Sequence, residues 1–109
     1  MKKLIGARCT GKTVQLVRIS ARDKMPILVY GKRQANYINE VADKLGVTIP
    51  KPLTLMDIKR GIVYPYEGIL VDEADVILDA LIYDKTHLHI DTITLPFTNG
   101  DIYAGNGRR

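Results

Sequence analysis

Gly6-Ala7-Arg8-Cys9-Thr10-Gly11-Lys12-Thr13 satisfies every fixed position of the pattern G-x-x-x-x-G-K-[ST]. Two glycines let the backbone curl so that successive N–H groups point inward, and a following helix adds its positive N-terminal end. Together they make a cradle for a polyphosphate. Lys12 is then expected to reach the β- and γ-phosphates, and the Thr13 hydroxyl to ligate Mg²⁺. The flanks agree with that reading. Lys3-Leu4-Ile5 predicts a short strand ending at Gly6, and Thr13 to about Asp23 predicts a helix, with Val14, Val17 and Ala21 at i, i+3 and i+7.

Downstream, Lys24-Met25-Pro26 interrupts the helix, and Ile27-Leu28-Val29-Tyr30 is a continuous apolar run of the kind that forms a parallel strand covered on both faces. Arg33 to Leu45 predicts an amphipathic helix with Ile38, Val41, Ala42 and Leu45 on one face, closed by Gly46. Pro50 and Pro52 disfavour a long strand, leaving Leu53 to Leu55 as a brief third one. Thr54-Leu55-Met56-Asp57 has the spacing of an N-terminal cap, predicting a short helical turn through Lys59 that Gly61 ends. Gly68 to Asp72 predicts a buried strand, Ala74 to Ile82 a helix with Ile77, Leu78 and Leu81 inward, and Leu88 to Leu95 a last strand stopped by Pro96. Residues 97–109, rich in Gly, Asn and Arg, read as a tail, or at most a hairpin around Asn99-Gly100.

This alternation predicts an α/β fold: a three-layer α-β-α arrangement with a mainly parallel sheet of about five strands, with residues 1–96 as one core domain. In such sheets ligands sit at the carboxyl ends of the strands. Gly6–Thr13 falls at one such end and Asp72-Glu73 at another, about 60 residues later.

Ile69-Leu70-Val71-Asp72-Glu73 places two carboxylates directly after an apolar strand. A carboxylate at a strand tip can hold Mg²⁺, and its neighbour can polarise a water molecule. An acidic pair is also favourable at the start of the helix beginning at Ala74. Burial beside so apolar a strand makes the pair costly without a cation nearby.

With both motifs present, the chain resembles the P-loop NTPases of the class with a catalytic glutamate, which includes RecA-like ATPases and helicases. The likeness runs from Lys3 to about Leu95, and Asp72-Glu73-Ala74-Asp75 spells the tetrapeptide of the DEAD-box helicases. It implies a minimal P-loop NTPase core in which Asp72 and Thr13 hold Mg²⁺, and Glu73 with Lys12 is catalytic. It also implies that Leu88–Leu95 lies between the phosphate-loop strand and the Asp72 strand, with Thr92 or Thr94 as a γ-phosphate sensor. Against the helicases, one motor unit is present and no adenine-reading glutamine motif precedes Gly6. No partner domain supplies an arginine finger, which can be worth ~10³–10⁵ in rate, although Arg108 and Arg109 could serve across an oligomer interface.

Net charge is +4, unevenly spread: residues 1–60 hold 13 Lys/Arg against 4 Asp/Glu, and residues 61–109 hold 3 against 8. A basic surface can attract nucleic acid or nucleotide phosphates. No apolar run approaches the length of a membrane span and no signal-peptide pattern opens the chain, so a cytoplasmic location with no membrane partner is the expectation. Cys9 has no second cysteine to pair with and reads as a small residue that fits the loop. His87 and His89 stand at i, i+2, a spacing able to grip a metal but lacking a third ligand, and they read as a solvated or partly packed pair. Arg8 can touch phosphate or point to solvent, and Tyr64-Pro65-Tyr66 can stack a base or simply pack as a loop.

The expected function is a Mg²⁺-dependent ATP-binding protein with ATPase activity, slow alone and stimulated by nucleic acid, a homo-oligomer or a larger protein partner. Two other classes stay open: a nucleotide-gated interaction protein that scarcely hydrolyses, and a nucleoside kinase, for which no lid or zinc ribbon is evident. The absence of an Asn/Thr-Lys-x-Asp element leans toward ATP over GTP.

Overall fold

The apolar run beginning at Ile27 becomes the middle strand of a sheet. The structure, a computed structural model, describes residues 4–5, 11–61, 65–94 and 102–103. In chain order its elements are β1 (Leu4–Ile5), α1 (Lys12–Asp23), β2 (Ile27–Val29), α2 (Lys32–Leu45), β3 (Leu53–Thr54), α3 (Leu55–Lys59), β4 (Leu70–Val71), α4 (Ala74–Thr86) and β5 (Ile102–Tyr103). Strand β2 pairs in parallel with β3, matching Leu28 to Leu53, and with β4, matching Ile27 to Leu70.

All three β2 side chains are buried, and successive ones point to opposite faces. Ile27 and Val29 meet Leu16 and Val17 of α1 and Ile38 and Ala42 of α2. Leu28 meets Leu53, Leu55 and Ile77 on the other side, with Ala80 of α4 against them. Helices therefore pack on both faces of the sheet. The buried side of α1 runs through Leu16, Val17 and Ser20, and Val14 stands 37% exposed at its margin. Ser20 is tolerated in the core because its hydroxyl donates to the Met25 carbonyl at 2.6 Å.

The helix ends follow local chemistry. Gly46 closes α2 in the left-handed conformation (φ 70°), which glycine adopts without a Cβ clash, and its N–H reaches back to Ala42 and Asp43. At α3, Thr54 Oγ1 accepts from the Asp57 N–H at 3.3 Å, and Asp57 Oδ2 accepts from the Thr54 N–H at 2.9 Å. The second bond stabilises the carboxylate and holds the Asp57 pKa below its ordinary value.

The expected five-stranded sheet is not formed among the described residues. The described residues build a three-stranded parallel sheet, in the order β3-β2-β4, and a separate two-stranded pair of β1 with β5, also parallel. With four helices this is compatible with a minimal α/β fold, smaller than the patterning predicts. The last strand expected over Leu88 to Leu95 is not found among the described residues: residues 88–94 have no sheet pairing, α4 takes the Leu88 and Ile90 N–H groups instead, and Leu95 lies outside the described residues. Helix α4 continues past Ile82 to Thr86, where His87 turns left-handed (φ 61°). The Leu88 N–H then donates to Thr86 Oγ1 at 3.1 Å, and the Ile90 N–H to Asp79 Oδ1. A strand between β1 and β4 is thus absent from the described residues. Thr92 donates its hydroxyl to the adjacent Asp91 at 2.7 Å rather than standing at a strand tip.

Two further expectations change. Strand β4 is an edge, paired to β2 alone among the described residues, with Ile69 and Val71 exposed rather than buried. On α4 only Ile77 is buried, and Leu78 and Leu81 face outward, because the narrow sheet offers little surface beneath the helix. Residues 102–103, placed in a tail or hairpin by composition, pair in parallel with β1.

Stability should follow this map. Ile38→Ala, at a site 1% exposed, is expected to cost roughly 2–5 kcal/mol in urea unfolding. Leu88→Ala, at a site 66% exposed, is expected to stay within about 0.5 kcal/mol. An equal loss for both would mean that residue 88 packs as a strand after all.

Candidate functional site

Strand β1 ends at Ile5, and Gly6, Ala7, Arg8, Cys9 and Thr10 lie outside the described residues. The end of the motif is described. Gly11 caps α1 with φ 87°, a conformation that glycine alone enters without strain, and its carbonyl accepts the Gln15 N–H at 3.1 Å. No acidic side chain occupies the first turn of α1. Lys12 and Thr13 open the helix, both half-buried.

The acidic pair is set by the sheet. The Asp72 N–H donates to the Leu28 carbonyl at 3.1 Å, continuing the ladder of β4 on β2 by one residue, so Asp72 is fixed at the carboxyl edge. Its carboxyl is half-buried. Burial and the adjacent charge of Glu73 push its pKa above the ordinary carboxylate value, while the positive charge of Lys12 and the Glu73 backbone N–H pull it back. Lys12, 60 residues before Asp72 in the chain, is therefore near enough to act on it.

Glu73 follows in the left-handed region, φ 55° and ψ 57°, and begins α4 by accepting the N–H groups of Val76 and Ile77 on its carbonyl. For a residue with a Cβ this conformation costs on the order of 1–3 kcal/mol, the kind of strain that collects at functional sites. Its side chain is exposed.

Comparison with protein-family models, curated proteins and solved structures found no match. The site must be judged by its own donors. Thr13 and Asp72 offer a hydroxyl and a carboxylate, hard oxygen ligands of the type Mg²⁺ takes, and Mg²⁺ commonly rests on one or two protein groups plus substrate phosphates. Among the described residues no three His, Cys, Asp or Glu side chains gather as a metal cluster, so a fuller protein cage is not on offer there. The donor chemistry fits Mg²⁺ carried in with a polyphosphate.

Two features escaped the sequence reading. Gln15 Oε1, one turn along α1 from Lys12, is buried with no hydrogen-bond partner. The second is a clasp on α4. Asp79 accepts the Ile90 N–H on one oxygen and lies 2.8 Å from His89 Nδ1 with the other. His89 stacks on Tyr83 at 4.4 Å between centroids, and His87 meets the same ring edge-on at 5.5 Å. Their i, i+2 spacing thus serves a ring cluster rather than a strand face gripping metal. Nothing in the spacing of Asp79 and His89 signals this pair. Among the described residues no helix is long and apolar enough to cross a membrane.

The raised pKa of Asp72 fixes the sign of a pH effect. Keeping this carboxylate ionised in the fold costs stability above its folded pKa, and the cost vanishes below the unfolded value of about 3.9. Asp72→Asn is therefore expected to raise the melting temperature at pH 7, and the gain is expected to shrink as pH falls through the carboxylate range. A melting temperature below the parent's at pH 7 would contradict the assigned burial.

The clasp is separately testable. The Ile90 bond and, secondarily, His89 hold the Asp79 pKa below its ordinary value, so the clasp is in place at neutral pH and is lost as pH drops through that lowered value. Asp79→Ala is expected to speed amide hydrogen exchange at Ile90 at least tenfold, leaving the Leu28 amide protected.

Proposed function

We propose that this chain is a Mg²⁺-dependent ATP-binding protein that hydrolyses ATP slowly by itself, in the manner of the P-loop NTPases it resembles. The observation that carries the reading is the placement of Asp72: its N–H bonds to the Leu28 carbonyl at 3.1 Å, which holds the half-buried carboxyl at the carboxyl edge, where the positive charge of Lys12 at the start of α1 acts on it. In this reading the amides of Gly6–Thr13 and the Lys12 ammonium would hold the phosphates, and Thr13 and Asp72 would hold Mg²⁺, which would supply charge neutralisation at the phosphate oxygens.

Glu73 orients a water molecule and takes its proton as the water oxygen bonds to the γ-phosphorus and the bond to the β–γ bridging oxygen breaks. Its strained backbone and exposed carboxylate suit that role. No cationic group beyond Lys12 is assigned to the γ-phosphate, which is why turnover is expected to be slow without nucleic acid, a further copy or a protein partner.

Phosphate release from ATP with Mg²⁺, with and without single-stranded DNA, tests this directly. Lys12→Ala is expected to abolish ATP binding by calorimetry. Glu73→Gln is expected to retain binding and lose turnover by about 10²-fold or more. Equal hydrolysis by Glu73→Gln and the parent would remove Glu73 from the mechanism. Binding without turnover in any condition would point instead to a nucleotide-gated interaction protein.

A further inference from the structure

Helix α4 meets the rest of the fold along one stripe and shows a second stripe to solvent. Ile77 and Ala80 pack with Leu28, Leu53 and Leu55, and Asp84, next along that line, pairs with Lys59 of α3 at 3.3 Å. Asp75, Leu78 and Ile82 each precede one of these residues by two positions, a turn of about 200° around the helix that puts them on the outer side. Lys85 continues their line. All four are exposed, Leu78 by 42% and Ile82 by 39%. Their spacing, i, i+3, i+7 and i+10, is that of the seam along which two helices pack.

The charges on this seam are the ones the fold leaves over. Asp84 is taken by Lys59, and Asp79 by the Ile90 N–H and His89. Asp75 and Lys85 make no ion pair among the described residues. The seam therefore runs acid, apolar, apolar, base, and it is symmetric about Ala80: Leu78 and Ile82 lie two residues to either side, Asp75 and Lys85 five. Such a line is complementary to itself when reversed. Asp75 then meets Lys85 at each end, and Leu78 meets Ile82 between them.

We infer that the seam docks on the same seam of a second copy of this chain, the two α4 helices lying antiparallel across a two-fold axis near Ala80. A parallel arrangement sets Asp75 against Asp75 and Lys85 against Lys85, whereas the antiparallel one pairs them and opposes the two helix dipoles. It also covers Leu78 and Ile82, an exposed apolar pair of the kind that marks a contact surface. Because both copies use one patch, the contact is isologous and closes at a dimer. With two apolar pairs and two exposed ion pairs it is a weak, reversible contact. It makes no use of nucleotide, so its failure leaves the ATP reading untouched.

Sedimentation velocity over a range of concentration, without nucleotide, tests this. The parent is expected to pass reversibly from monomer to dimer and no further, and the dimer to weaken as salt screens the end pairs. Asp75→Lys or Lys85→Asp alone sets like charges together at both ends and is expected to raise the dimer dissociation constant at least about tenfold. An equimolar mixture of the two is expected to restore a dimer of parent-like stability, since each variant then faces the opposite charge. Leu78→Ser removes an apolar contact without touching a charge and is expected to leave a monomer. A far-UV circular dichroism spectrum matching the parent checks each fold, and Leu78→Ser carries the test alone if a charge variant loses that spectrum. A parent monomeric at every concentration would overturn the proposal, as would assembly past a dimer. So would association unchanged by Asp75→Lys or by Leu78→Ser, or a mixture of folded charge variants that stays monomeric.

Discussion

The burial of β2 between two layers is the constraint on which the other described elements depend. Its three residues carry no polar side chain and no solvent face, so their backbone groups must be satisfied by neighbouring strands and their side chains by helices above and below. Parallel pairing supplies the first, through β3 and β4. Alternation supplies the second, since Ile27 and Val29 require the α1–α2 layer and Leu28 requires α3 and α4. The same strand fixes the site. Asp72 stands at the edge because its N–H bonds to Leu28, one step beyond the last β4 residue.

Where structure is decided within a few residues, the sequence was readable. The Ile27 run, the α2 periodicity, the left-handed glycine at 46 and the Thr54–Asp57 box each involve groups no more than about a turn apart, and all four are found. The reading failed where distant groups compete. Leu88 to Leu95 is rich in the β-branched residues that strands favour, but a strand needs a neighbour's ladder, and here Asp79 and Thr86 offer acceptors at shorter range. The outward face of α4 was misread for a related reason: periodicity reports which residues share a face, not how much sheet lies beneath them.

The candidate site divides in the same way. An acidic pair after an apolar strand was legible as a local pattern, and so was the helix start at Lys12. That Lys12 moderates the ionisation of Asp72 is a non-local fact that only the fold supplies. The left-handed backbone of Glu73 had no signal either, because glutamate is not a residue that ordinarily marks that conformation. The phosphate-loop residues before Gly11, on which the sequence reading leaned most, fall outside the described residues.

Residues 72 and 73 are poor choices for stability alone. A neutral amide at 72 would escape the penalty of a half-buried charge beside another charge, and glycine at 73 would relieve the strain. Both departures sit side by side at the carboxyl edge, where the positive charge of Lys12 acts on Asp72. Two unrelated physical costs, one electrostatic and one conformational, coincide within two residues of the strand end. Packing does not require either, since Ile77 and Ala80 anchor α4 without them. In the proposed function a divalent cation shared with a polyphosphate would offset the first cost directly, by giving Asp72 the counter-charge that Lys12 supplies only in part. The second would be offset if the Glu73 carboxylate gains something by standing where that backbone puts it, and in the proposed function it would do so by orienting a water molecule.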